Sequence, residues 1–431
     1  MKKVAVVGAG WAGLAAAVRL VQQGFAVCLF EAGRVAGGRA RAVRQDDEFS
    51  FLDNGQHLML GAYRRVWDLM DTVGADRQGK LSRRPFYWHI HNGMRWHSRR
   101  LPAPLHLLAG LVSARGIAWA DKAALLRQTW LLKQGQRRGI SADLPLSGWL
   151  AQQNVSEKLI RQFWQPLCEG ALNTPPQSAS LKVLADVLAD SVWGGRHDAD
   201  WCVPQCDLTA LLAEPALAWL QKHGAEYVPQ CRVPRLRLLP ENGVEAAGRR
   251  FDAAVIAVAP YHAAALLPET AAAAPLKNWL DTLAYHAITT VYLRYPYPIS
   301  LPVPVCGLSD GTAQWLLARP DPQEVAAVIS VSEQHGSLNA EQWVQRVHHD
   351  ILRVCPHLPA PAAQRVLTEK RATAAASGRT LPNLDGLQRG RIFMAGDYLH
   401  PRYPATLEAA VQSGETAARQ LAAAFRLPEN R

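Results

Sequence analysis

The sequence predicts an α/β chain: a parallel sheet assembled from discontinuous segments, an interleaved α+β domain and a helical basic insert. Three observations lead there. A short β-branched run at the amino terminus opens into three glycines spaced G-x-G-x-x-G, then a helix, then a strand ending in an acid. Near the carboxyl terminus a second buried strand passes through Gly396-Asp397 into an alanine-rich helix. Between them, apolar runs of strand length precede an amphipathic helix. With 431 residues there is room for two or three domains and a large core, and the composition excludes a disordered or disulfide-framed chain.

The amino-terminal elements follow in order. Val4-Ala5-Val6-Val7 reads as a central parallel strand. Gly8 permits a tight turn, Gly10 lets a pyrophosphate approach the backbone, and Gly13 lets helix pack on strand. Trp11 and Ala12 begin a helix whose amino end favours negative charge; it runs to Gln23 and is closed by Gly24. Phe25–Phe30 is the next strand, and Glu31 follows it, before Ala32. A carboxylate about twenty residues beyond the glycines accepts hydrogen bonds from an adenosine ribose, so the unit is a Rossmann-like dinucleotide site. Met1-Lys2-Lys3 before an apolar run has the look of a secretory signal, but the glycine spacing and Arg19 speak against it.

Glu31-Ala32-Gly33-Arg34-Val35-Ala36-Gly37-Gly38-Arg39 resembles the extension found in flavoproteins of the glutathione-reductase superfamily, in their amine-oxidase and carotenoid-desaturase branch. That resemblance implies FAD, with Gly37, Gly38 and Arg39 along its pyrophosphate and ribityl chain. Phe49–Leu52 reads as an alternating strand, and the resemblance puts its end, Asp53-Asn54-Gly55-Gln56-His57, beside the flavin ring. It also implies that Asp397, after Gly396, bonds the ribityl hydroxyls. The helix start at Thr406 and Leu407 would face the flavin N1–C2=O edge, where its dipole stabilises negative charge. Val233 matches a valine placed by the adenine, and Phe251–Pro260 matches the closing strand and turn. The cofactor domain is therefore expected from 1–75, 205–265 and 385–431.

The interleaved segments speak to the substrate. Within 266–384, strands are expected at 287–293, 314–318 and 325–331, and a helix at 341–352, as a substrate domain backing the flavin. His348-His349 reads as a solvated helix face, and Cys202 and Cys206 lack partners, so no metal site is expected. The seven scattered cysteines read as reduced thiols. The net charge of +11 is not spread evenly. Residues 77–139 hold thirteen basic side chains and one acid, Asp121, leaving the rest of the chain nearly neutral. This part of a helical insert over 76–204 interleaves its charge with Trp88, Trp96, Trp119, Trp130 and leucines, with helices expected near 103–115 and 119–135. The composition fits an interfacial helix on an anionic membrane surface; a solvated flap fits it too, while no nucleic-acid-binding motif is present. No stretch is apolar enough to span a bilayer, so no integral protein is expected. With the reduced thiols and the basic insert, the expectation is a cytoplasmic protein lying on the inner face of the cytoplasmic membrane.

Asp53-Asn54-Gly55-Gln56-His57-Leu58-Met59-Leu60-Gly61-Ala62-Tyr63 and Phe163-Trp164-Gln165-Pro166-Leu167-Cys168-Glu169-Gly170-Ala171-Leu172-Asn173-Thr174 resemble the squalene-associated flavoproteins. The departure is Cys206, where relatives commonly carry Gly, which bears on how the following helix meets the cofactor. The resemblance implies a long apolar isoprenoid substrate: hydroxysqualene reduced to squalene and water by reduced FAD, with neighbouring prenyl synthases as partners. It also implies a tunnel lined with aromatic rings. Such chemistry needs a proton donor for the leaving oxygen. His57, Tyr398 and Tyr403 are candidates, and an ordinary hydrogen-bonded histidine fits His57 equally. A phytoene-type desaturase running the opposite redox direction, and a membrane-attached flavoprotein scaffold without turnover, are the alternatives.

Overall fold

The computed structural model describes residues 1–43, 46–141, 144–378 and 380–426; the last five residues of the 385–431 segment lie outside them. Its centre is a five-stranded parallel sheet in the order Ile392–Met394, Ala253–Ile256, Lys3–Val7, Ala26–Phe30, Glu226–Val228. Val4 to Val7 are buried on both faces, which is why the run is continuously apolar rather than alternating. Helices Trp11–Gln22 and Leu407–Arg426 cover one face and cross closely: a Cβ on Gly414 would sit 2.1 Å from the Ala12 carbonyl oxygen. Thus the two sequence ends, each carrying half of the expected cofactor motif, pack as one unit.

A second five-stranded sheet is antiparallel, in the order Val305–Gly307, Trp315–Ala318, Glu324–Ser330, Tyr285–Arg294, Ala363–Ala374. Side chains alternate across it. Val291, Leu293, Leu316, Ala327 and Ile329 pack on helix Ala340–Val354, whose start carries an Asn339–Gln342 capping box. On the opposite face, Ile288, Trp315, Leu317, Val328 and Ser330 are presented to a cavity. The long edge strand Ala363–Ala374, half polar along its length, was not expected. His348 accepts or donates a bond with the Tyr295 hydroxyl at 2.8 Å, so it is tied to the sheet rather than solvated.

Two expectations need correction. Phe49–Leu52 is not a strand. The Ser50 amide and hydroxyl both bond the buried Glu324 carboxylate at 2.7 Å and Arg319 bonds the Phe51 carbonyl, so side chains take the bonds of its first half. Only its end pairs with backbone, the Leu52 carbonyl accepting from the Val43 amide at 2.9 Å beside an isolated Ala42–Asp53 bridge. The 76–204 insert is also not purely helical. Tyr87–His89 and Arg95–His97 form a hairpin through Asn92 (φ 53°) and Gly93, while Leu81–Arg84 and Trp201–Pro204 pair beside it. Helices Leu105–Val112 and Trp119–Arg138 do form. Trp88 and Trp96 are buried, and only Trp119 and Trp130 face outward. No helix among the described residues is long and apolar enough to cross a membrane.

Candidate active site

One cavity of about 900 Å³ runs from the parallel sheet to the antiparallel one. Its first half is the dinucleotide cradle. Gly8 (φ +106°) turns the chain there, and a Cβ on it would lie 2.5 Å from the Ala257 carbonyl oxygen. At Gly10 a Cβ would meet only Gly38 Cα, at 3.8 Å, on the open side towards the cavity. No side chain caps helix Trp11–Gln22, and its first turn carries no acid, so its dipole is left for an anionic ligand. The Glu31 carboxylate is held by the Ala9 and Gly33 amides at 2.8 and 2.7 Å. This is the donor set and shape that an adenosine diphosphate moiety requires.

The other expected cofactor residues gather around it. Trp11, Ala12, Ala32, Gly37, Gly38, Arg39, Asn54, Gly55, Val233, Gly396, Asp397, Thr406 and Leu407 all border the cavity. Gly13 does not: a Cβ there would lie 1.8 Å from the Gly8 carbonyl oxygen, so its role is packing. Arg39 ties three segments together, bonding Asp397 at 2.5 Å and the Ala372 carbonyl at 2.7 Å. Asn54 donates to Glu369 at 3.1 Å. Thr406 caps the last helix by accepting from the Ala409 amide at 3.0 Å, which aims that helix start into the cavity. Cys206 does not border the cavity; the helix after it is met instead by buried Asp53, which accepts from the Leu208 amide at 2.9 Å.

The second half is apolar and aromatic. Phe86, Trp88, Trp201 and Trp315 line it, with Trp88 edge-on to Trp315 at 5.1 Å and Trp201 tilted to Trp315 at 6.0 Å. Leucines and valines from 58–60, 167–192 and the antiparallel sheet complete the wall. Tryptophans assigned from sequence to a membrane face therefore build the substrate chamber in the case of Trp88.

The candidate proton donors separate by geometry. Tyr398 is buried away from the cavity, with its ring 6.4 Å from Trp279, and is set aside. His57 borders the cavity, but its Nδ1 lies 2.7 Å from the Gly55 carbonyl, which can only accept. Nδ1 therefore carries the proton. Burial, with Arg39 adding to it, holds the ring below its ordinary pKa, so His57 is neutral near pH 7 and its free Nε2 accepts rather than donates.

Tyr403 is differently placed. His400 Nδ1 accepts from the Arg402 and Tyr403 amides, so its Nε2–H donates to Gln412 Oε1 at 2.9 Å. That fixes the Gln412 amide, whose nitrogen donates to Tyr403 Oη at 3.0 Å and to Glu408 Oε1 at 2.8 Å. Glu408 in turn accepts both the Arg65 and Val66 amides at 3.0 Å. Tyr403 Oη is thus an acceptor within the network, and its own proton is left for the cavity. Burial pushes its pKa up to about 12, so it stays protonated. Tyr63, which ends the 53–63 motif, borders the same region, and nothing in the motif marks it as a proton donor. Gln412 reads only as a polar position on the last helix, and Glu369 meets Asn54 from a segment more than 300 residues away, so neither carries a signal of its own.

Comparisons with known proteins agree with this geometry. The flavin-containing amine oxidoreductase family matches residues 11–422. The hydroxysqualene dehydroxylase of Sinorhizobium fredii is 27% identical over 434 residues, covering 97% of each chain. The 15-cis-phytoene desaturase of Glycine max is 23% identical, over 97% of this chain and 79% of its own. Cyclohexylamine oxidase from Brevibacterium oxydans has the same fold, with a TM-score of 0.72 at 18% identity over 99% of this chain and 100% of that one. With a family match over nearly the whole chain and a dinucleotide cradle opening on an aromatic chamber, the chain belongs to the flavin-containing amine oxidoreductase family and is an FAD-dependent oxidoreductase.

Proposed function

We propose that the enzyme reductively removes the hydroxyl of hydroxysqualene, giving squalene and water. The observation that carries this reading is the continuity of the cavity, from the cofactor cradle straight into a chamber walled by tryptophan. Similarity to dehydroxylases over full length supports the substrate class. Reduced FAD, when bound, would supply the hydride, which carries both electrons of the reduction. The protein's own groups do the rest. Tyr403 Oη–H bonds the allylic oxygen and protonates it as the C–O bond breaks, so the hydroxyl leaves as water and a C–H bond replaces it. Trp88, Trp201 and Trp315 present π faces to the developing allylic cation and keep bulk water from it. His57 Nε2 orients a donor on the substrate side but supplies no proton.

Anaerobic mixing of photoreduced protein with hydroxysqualene should reoxidise the flavin and form squalene in equal amounts. Oxidised protein that converts phytoene, while reduced protein leaves hydroxysqualene intact, would overturn the reading in favour of a desaturase. Flavin bound with neither lipid converted would leave a scaffold.

The reading extends to where the substrate is met. Seven of the twelve exposed large apolar side chains among the described residues are Leu101, Leu105, Leu108, Val112, Trp119, Leu126 and Trp130. Leu105, Leu108 and Val112 share one helix face by their spacing. Lys122 joins the two helices, donating to the Val112 carbonyl at 2.7 Å and lying 4.2 Å over the Trp119 ring. The same region carries the chain's excess basic charge, so the ridge suits an anionic bilayer surface. Flotation with anionic vesicles and not with neutral ones is expected; equal absence from both would remove the docking part alone.

A further inference from the structure

A second cavity, about 660 Å³, lies beside the apolar ridge and apart from the substrate chamber. Four arginines line it (Arg83, Arg99, Arg100 and Arg196), with His106, His197 and a single acid, Asp200. Two of the arginines are already engaged. Arg83 bonds Asp200 and the His197 carbonyl, both at 3.0 Å, and Arg99 bonds Ser113 Oγ at 2.6 Å. Asp200 is engaged a second time, by His197 Nδ1 at 2.9 Å. Arg100 and Arg196 are exposed and make no hydrogen bond or ion pair among the described residues. The pocket thus holds more positive charge than its one carboxylate can answer.

His106 is the second observation. It is only 2% exposed, and neither ring nitrogen has a hydrogen-bond partner; the nearby Pro102 carbonyl accepts from the His106 backbone amide at 3.0 Å. Buried polar groups are seldom left in this condition. Burial, and then Arg196, hold the ring below its ordinary pKa, so it is a neutral imidazole offering one N–H and one lone pair. It is also the second residue of helix Leu105–Val112, directly after exposed Leu105.

We propose that this pocket binds the phosphate of an anionic phospholipid headgroup, Arg100 and Arg196 taking the phosphate oxygens and His106 a headgroup hydroxyl. Arginine forks match phosphate geometry, and the neutral imidazole can bond a glycerol hydroxyl in either direction. The apolar ridge enters the acyl region while the pocket beside it holds the headgroup. The inference rests on the membrane reading of that ridge.

The test uses FAD-loaded protein and phosphatidylcholine vesicles with and without about 30 mol% phosphatidylglycerol, at about 0.15 M NaCl, where charges beyond ~8 Å are screened. Arg100→Ala/Arg196→Ala is compared with Arg137→Ala/Arg138→Ala, which removes the same charge from exposed residues outside the pocket. The pocket variant should lose at least about tenfold more affinity for the anionic vesicles than the control variant. His106→Leu should weaken the same binding while its melting temperature holds or rises. Equal losses in the two arginine variants would overturn the pocket and leave the docking reading standing. Absence of wild-type binding to anionic vesicles would overturn the docking reading and the lipid assignment with it. Calorimetric binding of inorganic phosphate that needs Arg100 and Arg196, alongside equal vesicle losses, would assign the pocket to free phosphate and overturn the lipid source.

Discussion

Replacing Tyr403 by Phe takes one oxygen from the wall of the cavity and leaves its supports in place. Gln412 loses one acceptor but keeps Glu408 at 2.8 Å, and His400 keeps its bond to Gln412 at 2.9 Å. The ring still stacks on His400, with centroids 4.3 Å apart. One neutral hydrogen bond is lost, so stability should fall by only about 1 kcal/mol, and the FAD content should not change. The chemical step loses its proton donor. A positioned acid contributes about 10²- to 10⁴-fold, or roughly 3–5 kcal/mol of barrier, and reoxidation of reduced flavin by hydroxysqualene should slow by that factor. Gln412→Leu leaves the phenol but frees its orientation; a drop in kcat of about tenfold with KM unchanged is expected. Stopped-flow absorbance at the flavin band, with squalene measured in the same quench, reads both. A Tyr403→Phe enzyme within about threefold of wild type would refute the assignment and turn attention to Tyr63.

Gly13→Ala should abolish cofactor retention, because its Cβ would fall 1.8 Å from the Gly8 carbonyl oxygen; the flavin-to-protein absorbance ratio checks this. Trp315→Leu should lower kcat about tenfold through loss of a π face beside the cation, and an unchanged kcat would remove that role. The buried Asp53 carboxyl, with Oδ2 unpartnered, has its pKa pushed up to about 7 by burial. The folded state therefore holds a proton that the unfolded chain releases above about pH 4, and stability is lost as pH rises from about 4 to 7. Asp53→Asn keeps the acceptor for the Leu208 amide and should be more stable than wild type at pH 8 by about 2–4 kcal/mol, with the difference vanishing near pH 4. Thermal melts across that range decide it.

The cofactor half of the site was legible in the linear chain because its geometry is local. From Val4 to Glu31 strand, turn, helix and strand follow without interruption, and each glycine's task depends on residues within one βαβ unit. The carboxyl-terminal strand and helix repeat that logic, so Gly396, Asp397, Thr406 and Leu407 could be placed by resemblance. The concentration of basic charge in 77–139 was equally plain, since charge is a count.

The chamber depended on packing between distant segments, and its proton chemistry on the folded geometry of residues nearer in sequence. Trp88 and Trp119 sit in the same basic stretch, yet one closes the chamber against Trp315 and the other faces solvent at 68% exposure. No spacing rule separates them, because the difference is which element covers each. Phe49–Leu52 alternates like a strand, but the Ser50 amide and Phe51 carbonyl go to Glu324 and Arg319, more than 250 residues away in sequence. The sequence favours His57 over Tyr403 as the acid, whereas their partners point the other way: a carbonyl 2.7 Å from one and an amide donor 3.0 Å from the other set opposite proton positions. Residue types and short-range order are written in the chain. Which face is dry follows from long-range contacts, and which atom holds a proton follows from the folded geometry even of near neighbours such as Gly55 beside His57, because residue type alone does not say which atoms meet.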